Sequence, residues 1–215
     1  EILTPISEGG TKELQHIEKI GRVCYKSEDY ITEDGESARK FVAMLIRNGH
    51  EAMIEHSFLS VKFTVDRGVS HELVRHRIAS FAQESTRYCN YAKDKFGAEC
   101  AFIDLEPGIM LDNKMKKMSG EEIALVMAEW TSAMEDAERH YMRLLELGAT
   151  PQIARAVLPN STKTEITVSA NYREWRNFFK LRVPADVHPQ MREVTIPLLK
   201  ELKGMIPVIF DDIEC

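Results

Sequence analysis

One short run of this 215-residue chain carries most of its usable chemistry: Arg75-His76-Arg77-Ile78-Ala79-Ser80-Phe81-Ala82-Gln83-Glu84-Ser85-Thr86-Arg87-Tyr88. Three arginines and a histidine stand within 13 residues of a chain whose formal net charge is −6. Like charges this close repel unless an anion or a carboxylate compensates them. Guanidinium groups are planar forks that match phosphate oxygens. Ser85 and Thr86 add hydroxyl donors, and the Gln83 amide suits the edge of a base or ring. The run reads as a pocket for a phosphorylated ligand. The competing reading is a solvated basic face with salt bridges to Glu72 and Glu84.

Other chemistries fall away on spacing. His71-Glu72-Leu73-Val74 begins like a zinc-binding HExxH, but the fifth position is Arg75. The second histidine is displaced to His76, off the shared helix face, so no metal site is expected. The chain has no GxGxxG and no GxxxxGK[ST], so a flavin or nicotinamide must bind outside a Rossmann or P-loop frame. It has no GxSxG elbow. Cys24, Cys89, Cys100 and Cys215 are widely spaced and form no CxxC, which fits structural thiols in a reduced cytosolic chain. Ser85 reads as a phosphate contact, because no acid–histidine pair is placed to activate it as a nucleophile.

The elements that must position these residues are read from periodicity. Ser37–Arg47 reads as a helix stopped by Asn48-Gly49, and Phe58–Val65 alternates as a strand. Asp66-Arg67-Gly68 reads as a turn, followed by a helix over Val69–Arg77. Gly97–Lys117 reads as irregular. Ser119-x-x-Glu122 is a capping box for a long helix to about Leu147, closed by Gly148. Thr150-Pro151 opens a short helix that must end before Pro159. Lys163–Ala170 reads as a strand. Asn171-x-x-Glu174 caps a helix to about Arg182, and the stretch after His188 is helical with a kink at Pro197.

Strands and helices mix without βαβ alternation, which predicts α+β: an antiparallel sheet flanked by helices. The length and 44% hydrophobic content suit one domain over 1–215. The acidic balance weighs against a general nucleic-acid binder. No apolar run approaches a membrane span, roughly 18 residues. Glu1-Ile2-Leu3-Thr4-Pro5 has neither the layout of a signal peptide nor an initiator Met, which reads as a trimmed end. His16 and His140 read as surface residues, His56 as a satisfied structural histidine, and Trp130 and Trp175 as packing residues.

In this motif and its setting the chain resembles the flavin-dependent thymidylate synthase (ThyX) family. The family signature is RHR, seven residues, then Ser. Here it is Arg75-His76-Arg77, seven residues, Ser85, continuing into Arg87-Tyr88. His50-Glu51 and Glu55-His56 precede the motif. Ala154-Arg155-Ala156-Val157-Leu158-Pro159 is similar to the family's ARxVLP segment, and Asn171–Arg173, Asn177 and Leu181-Arg182 to its C-terminal segment. The resemblance covers roughly His50–Glu193.

The resemblance implies a ThyX-like fold and a homotetramer with active sites at subunit interfaces. It implies reductive methylation of dUMP to dTMP, with FAD, with 5,10-methylenetetrahydrofolate as carbon donor and with NADPH or NADH as reductant. Carried over by position, His50, Arg75, His76, Arg77, Gln83, Asn171, Tyr172, Arg173 and Asn177 would line the flavin. Glu72, Arg75, Gln83, Glu84, Ser85, Thr86, Arg87, Arg155 and Arg182 would meet dUMP. Arg182 matches the arginine that polarises uracil. Two departures stand out: Ala52 replaces a hydroxyl residue that touches FAD, and Glu72 stands where some members carry Gln near the phosphate. No nucleic-acid partner is expected, given the acidic charge and the absence of interleaved exposed aromatics. Two other readings compete: a non-catalytic nucleotide- or RNA-binding module built on Arg75, Arg77 and Arg87, and a flavoprotein reductase indifferent to dUMP.

Overall fold

Three strands form one antiparallel sheet in the order β1-β3-β2, where β1 is Phe58–Asp66, β2 is Ala79–Gln83 and β3 is Lys163–Asn171. The computed structural model describes residues 1–93, 97 and 99–214. Cys215, and residue 98 within the stretch read as irregular, lie outside the described residues. Among the described residues the helices are α1 (Thr11–Tyr25), α2 (Glu36–Arg47), α3 (Arg67–Leu73), α4 (Glu106–Leu111), α5 (Gly120–Glu146), α6 (Pro151–Ala154), α7 (Tyr172–Arg182) and α8 (Pro189–Met205). This is the expected α+β arrangement. The backbone gathers into two compact units: Glu1–Lys62, His76–Ser80 and Val168–Cys215 form the first, and Phe63–Arg75 and Phe81–Thr167 the second.

In the first unit, α1 packs on α2 through Leu14, Ile17, Ala38, Phe41, Val42 and Leu45, all buried. The apolar face of α2 is the one its periodicity predicts. Glu18 of α1 is 0% exposed, and its carboxylate is satisfied by Arg22 at 2.8 Å and the Ser37 hydroxyl at 2.8 Å. Helix α7 contributes an aromatic cluster: the Trp175 and Phe178 rings lie 5.2 Å apart, Phe178 and Phe179 5.3 Å, and Phe179 and Phe210 5.6 Å. Each fully buried ring stabilises by about 1.5–3 kcal/mol. The Trp175 indole donates to the Leu59 carbonyl at 3.0 Å, so its polar edge is also satisfied. Helix α8 continues across Pro197.

In the second unit, three expectations are corrected. The Asp66-Arg67-Gly68 segment is no turn. Asp66 is the N-cap of α3, its carboxylate accepting from the Val69 N–H at 2.6 Å. A short acceptor before free N–H groups serves a turn and a helix start equally, which is why the sequence misled. Helix α3 then ends at Leu73 instead of reaching Arg77. The stretch read as irregular contains α4 and a 3₁₀ turn at Met115–Lys117. Helix α5 has both arms of the predicted capping box, with Glu122 N–H to Ser119 Oγ at 3.2 Å and Ser119 N–H to Glu122 Oε2 at 2.8 Å. Gly148, at φ +91°, lets the Ala149 N–H turn back to the Leu144 carbonyl at 2.9 Å. Tyr91, Cys100, Tyr141 and Ala154 form a small core beside this helix, and burial pushes the Cys100 thiol up to about 12. Cys24 is exposed and Cys89 half-buried, both as free thiols.

Candidate active site

The site candidates divide between the units. His50, His76, Arg77, Asn171, Tyr172, Arg173, Asn177 and Arg182 belong to the first, and Glu72, Arg75, Gln83, Glu84, Ser85, Thr86, Arg87 and Arg155 to the second.

In the first unit, Asn171 and the helix it caps border a cavity of about 530 Å³. Ile78, Asn171, Arg173, Asn177 and Lys180 line it beside three carboxylates, Glu51, Glu55 and Glu174. Each carboxylate has a protein partner. Glu55 pairs with Arg173 at 2.5 Å, and Glu51 with Arg176 at 3.0 Å and Lys180 at 3.7 Å. The Asn177 amide donates to both oxygens of Glu174 at 3.3 Å. A cavity with amides, a cation, an apolar wall and neutralised acids fits a polar, planar heterocycle such as a flavin ring.

His76 is 7% exposed and held at both ring nitrogens. Nδ1 lies 3.0 Å from Glu174 Oε1, and Nε2 accepts from Arg182 Nε at 3.1 Å. Phe178 meets the ring edge-on at a centroid distance of 5.0 Å. Burial and then the Arg182 cation lower the His76 pKa, against the hydrogen bond and charge of Glu174, and the balance lies below the ordinary 6.5. Sequence reading placed His76 on a helix; it follows the end of α3 instead.

His50 is exposed, with Nδ1 2.9 Å from the Tyr25 hydroxyl. Tyr172 is 1% exposed, packs on Phe210 at 6.1 Å and does not line the 530 Å³ cavity. Burial, with Glu13, raises its pKa. His56, read as structural, is exposed and lines a separate cavity of about 300 Å³ with His16 and Phe58. It is the last residue of the 3₁₀ turn Glu51–His56, between Ile54 and Ser57, which are the residues that turn inward there.

In the second unit, the end of β2 brings Gln83 inward. Its amide nitrogen donates to Ser70 Oγ at 2.9 Å and Thr164 Oγ1 at 3.3 Å, so what it offers a ligand is its carbonyl oxygen. Glu84 is tied inside the unit: Oε1 accepts from the Tyr91 hydroxyl at 3.1 Å, and Oε2 lies 3.5 Å from Lys163 Nζ. Burial and then Glu84 raise the Tyr91 pKa. Ser85 Oγ accepts from the Arg87 N–H at 3.3 Å. Thr86 is 5% exposed and accepts from Arg155 Nη1 at 3.0 Å. Arg87 is exposed, its guanidinium 5.6 Å from the centre of the Tyr88 ring. Glu72 lies in the last turn of α3, and the Arg75 N–H reaches its carbonyl at 3.2 Å.

Among the described residues no ion pair engages Arg75, Arg77, Arg87 or Arg155. The salt-bridged basic face is thereby disfavoured: Glu84 is taken by Lys163 and Tyr91. Sequence reading missed strand β2, whose Ala79-Ser80-Phe81-Ala82-Gln83 has little β-branched content. It also missed the Glu174 carboxylate, Arg176 and Tyr25, which acquire their partners only through tertiary structure.

In chemistry, the arginine segment suits a phosphorylated ligand and the amide-lined cavity a polar heterocycle. Comparison with known proteins narrows this. The family model described as thymidylate synthase complementing protein matches residues 10–208, so the chain belongs to that family. A flavin-dependent thymidylate synthase of Corynebacterium aurimucosum is 33% identical over 212 residues, covering 96% of this chain and 82% of that protein. Similar proteins of the same name from Mycobacterium marinum and Mycobacterium tuberculosis are 30% and 29% identical over 203 residues, each covering 92% of this chain and 78% of the relative.

Proposed function

We propose that the chain is a flavin-dependent thymidylate synthase, converting dUMP to dTMP by reductive methylation. Residues 1–215 would act as one catalytic domain. The observation that carries the reading is the set of arginines without carboxylate partners in an acidic chain, which needs an anion to balance it.

Arg87 and Arg155, with Ser85 and Thr86, hold the dUMP phosphate and sugar. The family resemblance supports a role for Arg75 in binding both dUMP and FAD. Glu84 anchors the segment through Lys163 and Tyr91, and Glu72 stands at the end of α3 beside Arg75. Gln83 offers an acceptor to an imide N–H. Asn171, Arg173 and Asn177 hold FAD, supported by Arg77 and by His76 and Tyr172 behind them, with His50 near the folate.

FAD held by these residues would supply the redox chemistry, hydride transfer from NADPH or NADH to the one-carbon unit donated by 5,10-methylenetetrahydrofolate. Arg182 beside N3 and O4 of uracil favours negative charge on the ring and makes C5 nucleophilic without a protein thiolate. The family resemblance supports a homotetramer with active sites at subunit interfaces, and a cytoplasmic location. No helix among the described residues is long and apolar enough to cross a membrane.

The test is the visible spectrum of purified protein before and after adding dUMP. A bound oxidised-flavin band that dUMP perturbs supports the synthase. A colourless protein that takes up no FAD favours the binding module.

A further inference from the structure

Two helices of the chain begin with the same signal, a short polar residue followed three positions later by glutamate. In α5 the signal closes on itself: Glu122 returns to the Ser119 N–H at 2.8 Å. In α7 it does not. Asn171 Oδ1 caps the Glu174 N–H at 2.8 Å, but the Glu174 carboxylate turns to His76 Nδ1 at 3.0 Å and is held by the Asn177 amide at 3.3 Å on both oxygens. Glu174 is 8% exposed. A buried carboxylate diverted from its cap needs a reason beyond helix stability.

The protons supply one. Arginine has donors and no acceptor. Arg182 Nε therefore donates, and His76 Nε2 must present its lone pair. A neutral ring with a bare Nε2 carries its proton on Nδ1, where Glu174 accepts it. Without that acceptor the ring is free to place its proton on Nε2, facing another N–H. Arg182 would then lose its bond to His76 Nε2, which bears on the plane of its guanidinium and so on the direction of both Nη groups.

We propose that Glu174 is a positioning residue for Arg182, acting through the Nδ1–H tautomer of His76. The assignment rests on the role of Arg182 proposed above, and goes beyond it by naming what aims the arginine.

The test uses the full chain reconstituted with FAD, in three forms: wild type, Glu174→Met and Glu174→Gln. Methionine keeps the length and removes the acceptor; glutamine keeps an acceptor oxygen. Long-range ¹H–¹⁵N spectra of histidine-labelled protein report the His76 tautomer and need no turnover. The expected result is a single Nδ1–H tautomer in wild type, Nε2 protonation in Glu174→Met, and return of the Nδ1–H form in Glu174→Gln. In parallel, kcat for dTMP formation, expressed per bound flavin, falls about 10- to 100-fold in Glu174→Met with the KM for dUMP little changed, and Glu174→Gln recovers most of it. An Nε2–H ring in wild type, or Glu174→Met with wild-type tautomer and kcat, overturns the proposal. Wild-type protein with the expected tautomer but no dTMP formation overturns the catalytic role of Arg182, while the tautomer of Glu174→Met still decides the hold of Glu174 on His76.

Discussion

Arg182 Nε lies 3.1 Å from His76 Nε2, although the two residues are 106 positions apart in the chain. Because arginine can only donate, the contact states which nitrogen of a buried histidine carries no proton. It also aims a planar cation. Arg182→Ala is expected to retain bound flavin and to lose dTMP formation, and Arg182→Lys should not restore it, because an ammonium lacks the fork and its fixed plane. Flavin absorbance and chromatographic detection of dTMP check this. Normal turnover in Arg182→Ala would remove the arginine from the mechanism.

The same contact sets a pH dependence. The charged groups that bear on His76 are Glu174 and Arg182, and its folded pKa is below 6.5, with burial the largest cause. The folded state therefore binds fewer protons than the unfolded chain just below 6.5, and stability falls as pH drops from there toward the lower folded value. Protonation also turns an N–H toward Arg182, so kcat should carry an acid limb in the same range. Urea midpoints of wild type and His76→Asn, compared across that range, isolate the histidine. Equal slopes in the two proteins would rule out this linkage.

Phosphate recognition is assigned to Arg87 and Arg155, the second anchored to Thr86 at 3.0 Å. Each substitution by alanine should weaken dUMP by about 1.5–3 kcal/mol, roughly 10- to 100-fold in Kd, at unchanged flavin content. Titration of dUMP against the flavin spectrum reads the effect. Unchanged affinity in both variants would mean that the phosphate lies elsewhere.

Part of this was legible in the sequence because its cause is local. Ser119 and Glu122 cap α5 through bonds that span three residues, Asn171 caps α7 in the same way, and Lys163–Ala170 alternates as a strand should. The arginine segment stood out in an acidic chain, but Glu72 and Glu84 left a salt-bridged face open, and only the fold shows Glu84 held by Lys163 and Tyr91. What the sequence withheld depends on distant partners. Glu174 looked like half of a capping box until His76, 98 positions away, claimed its carboxylate. Asp66 two residues before a glycine satisfies turn and helix start alike, and in the fold its carboxylate caps α3 through the Val69 N–H. Strand β2 lacks a β-branched pattern, and its backbone continues into a bond from the Glu84 N–H to the Glu165 carbonyl on β3.

Arg176 is the largest such omission. It looked like one more charge on α7, yet its side chain is 1% exposed and meets Asp212 at 2.6 Å and Glu51 at 3.0 Å. Removing a buried cation leaves its partners uncompensated. Asp212 is half-exposed and can rehydrate, so Arg176→Ala should cost about 3 kcal/mol, the low end for a buried pair. Arg176→Met, which keeps the volume, should cost less. Urea denaturation measures both. A loss under about 1 kcal/mol in Arg176→Ala would show that the network adds little to stability.

The central claim is tested most directly by dTMP formation from dUMP with each component omitted in turn. The account predicts product only when FAD, 5,10-methylenetetrahydrofolate and a reduced nicotinamide are all present, and none from Arg182→Ala. Nicotinamide oxidation that proceeds without dUMP and yields no dTMP, in protein that binds flavin, would contradict it and make the chain a reductase.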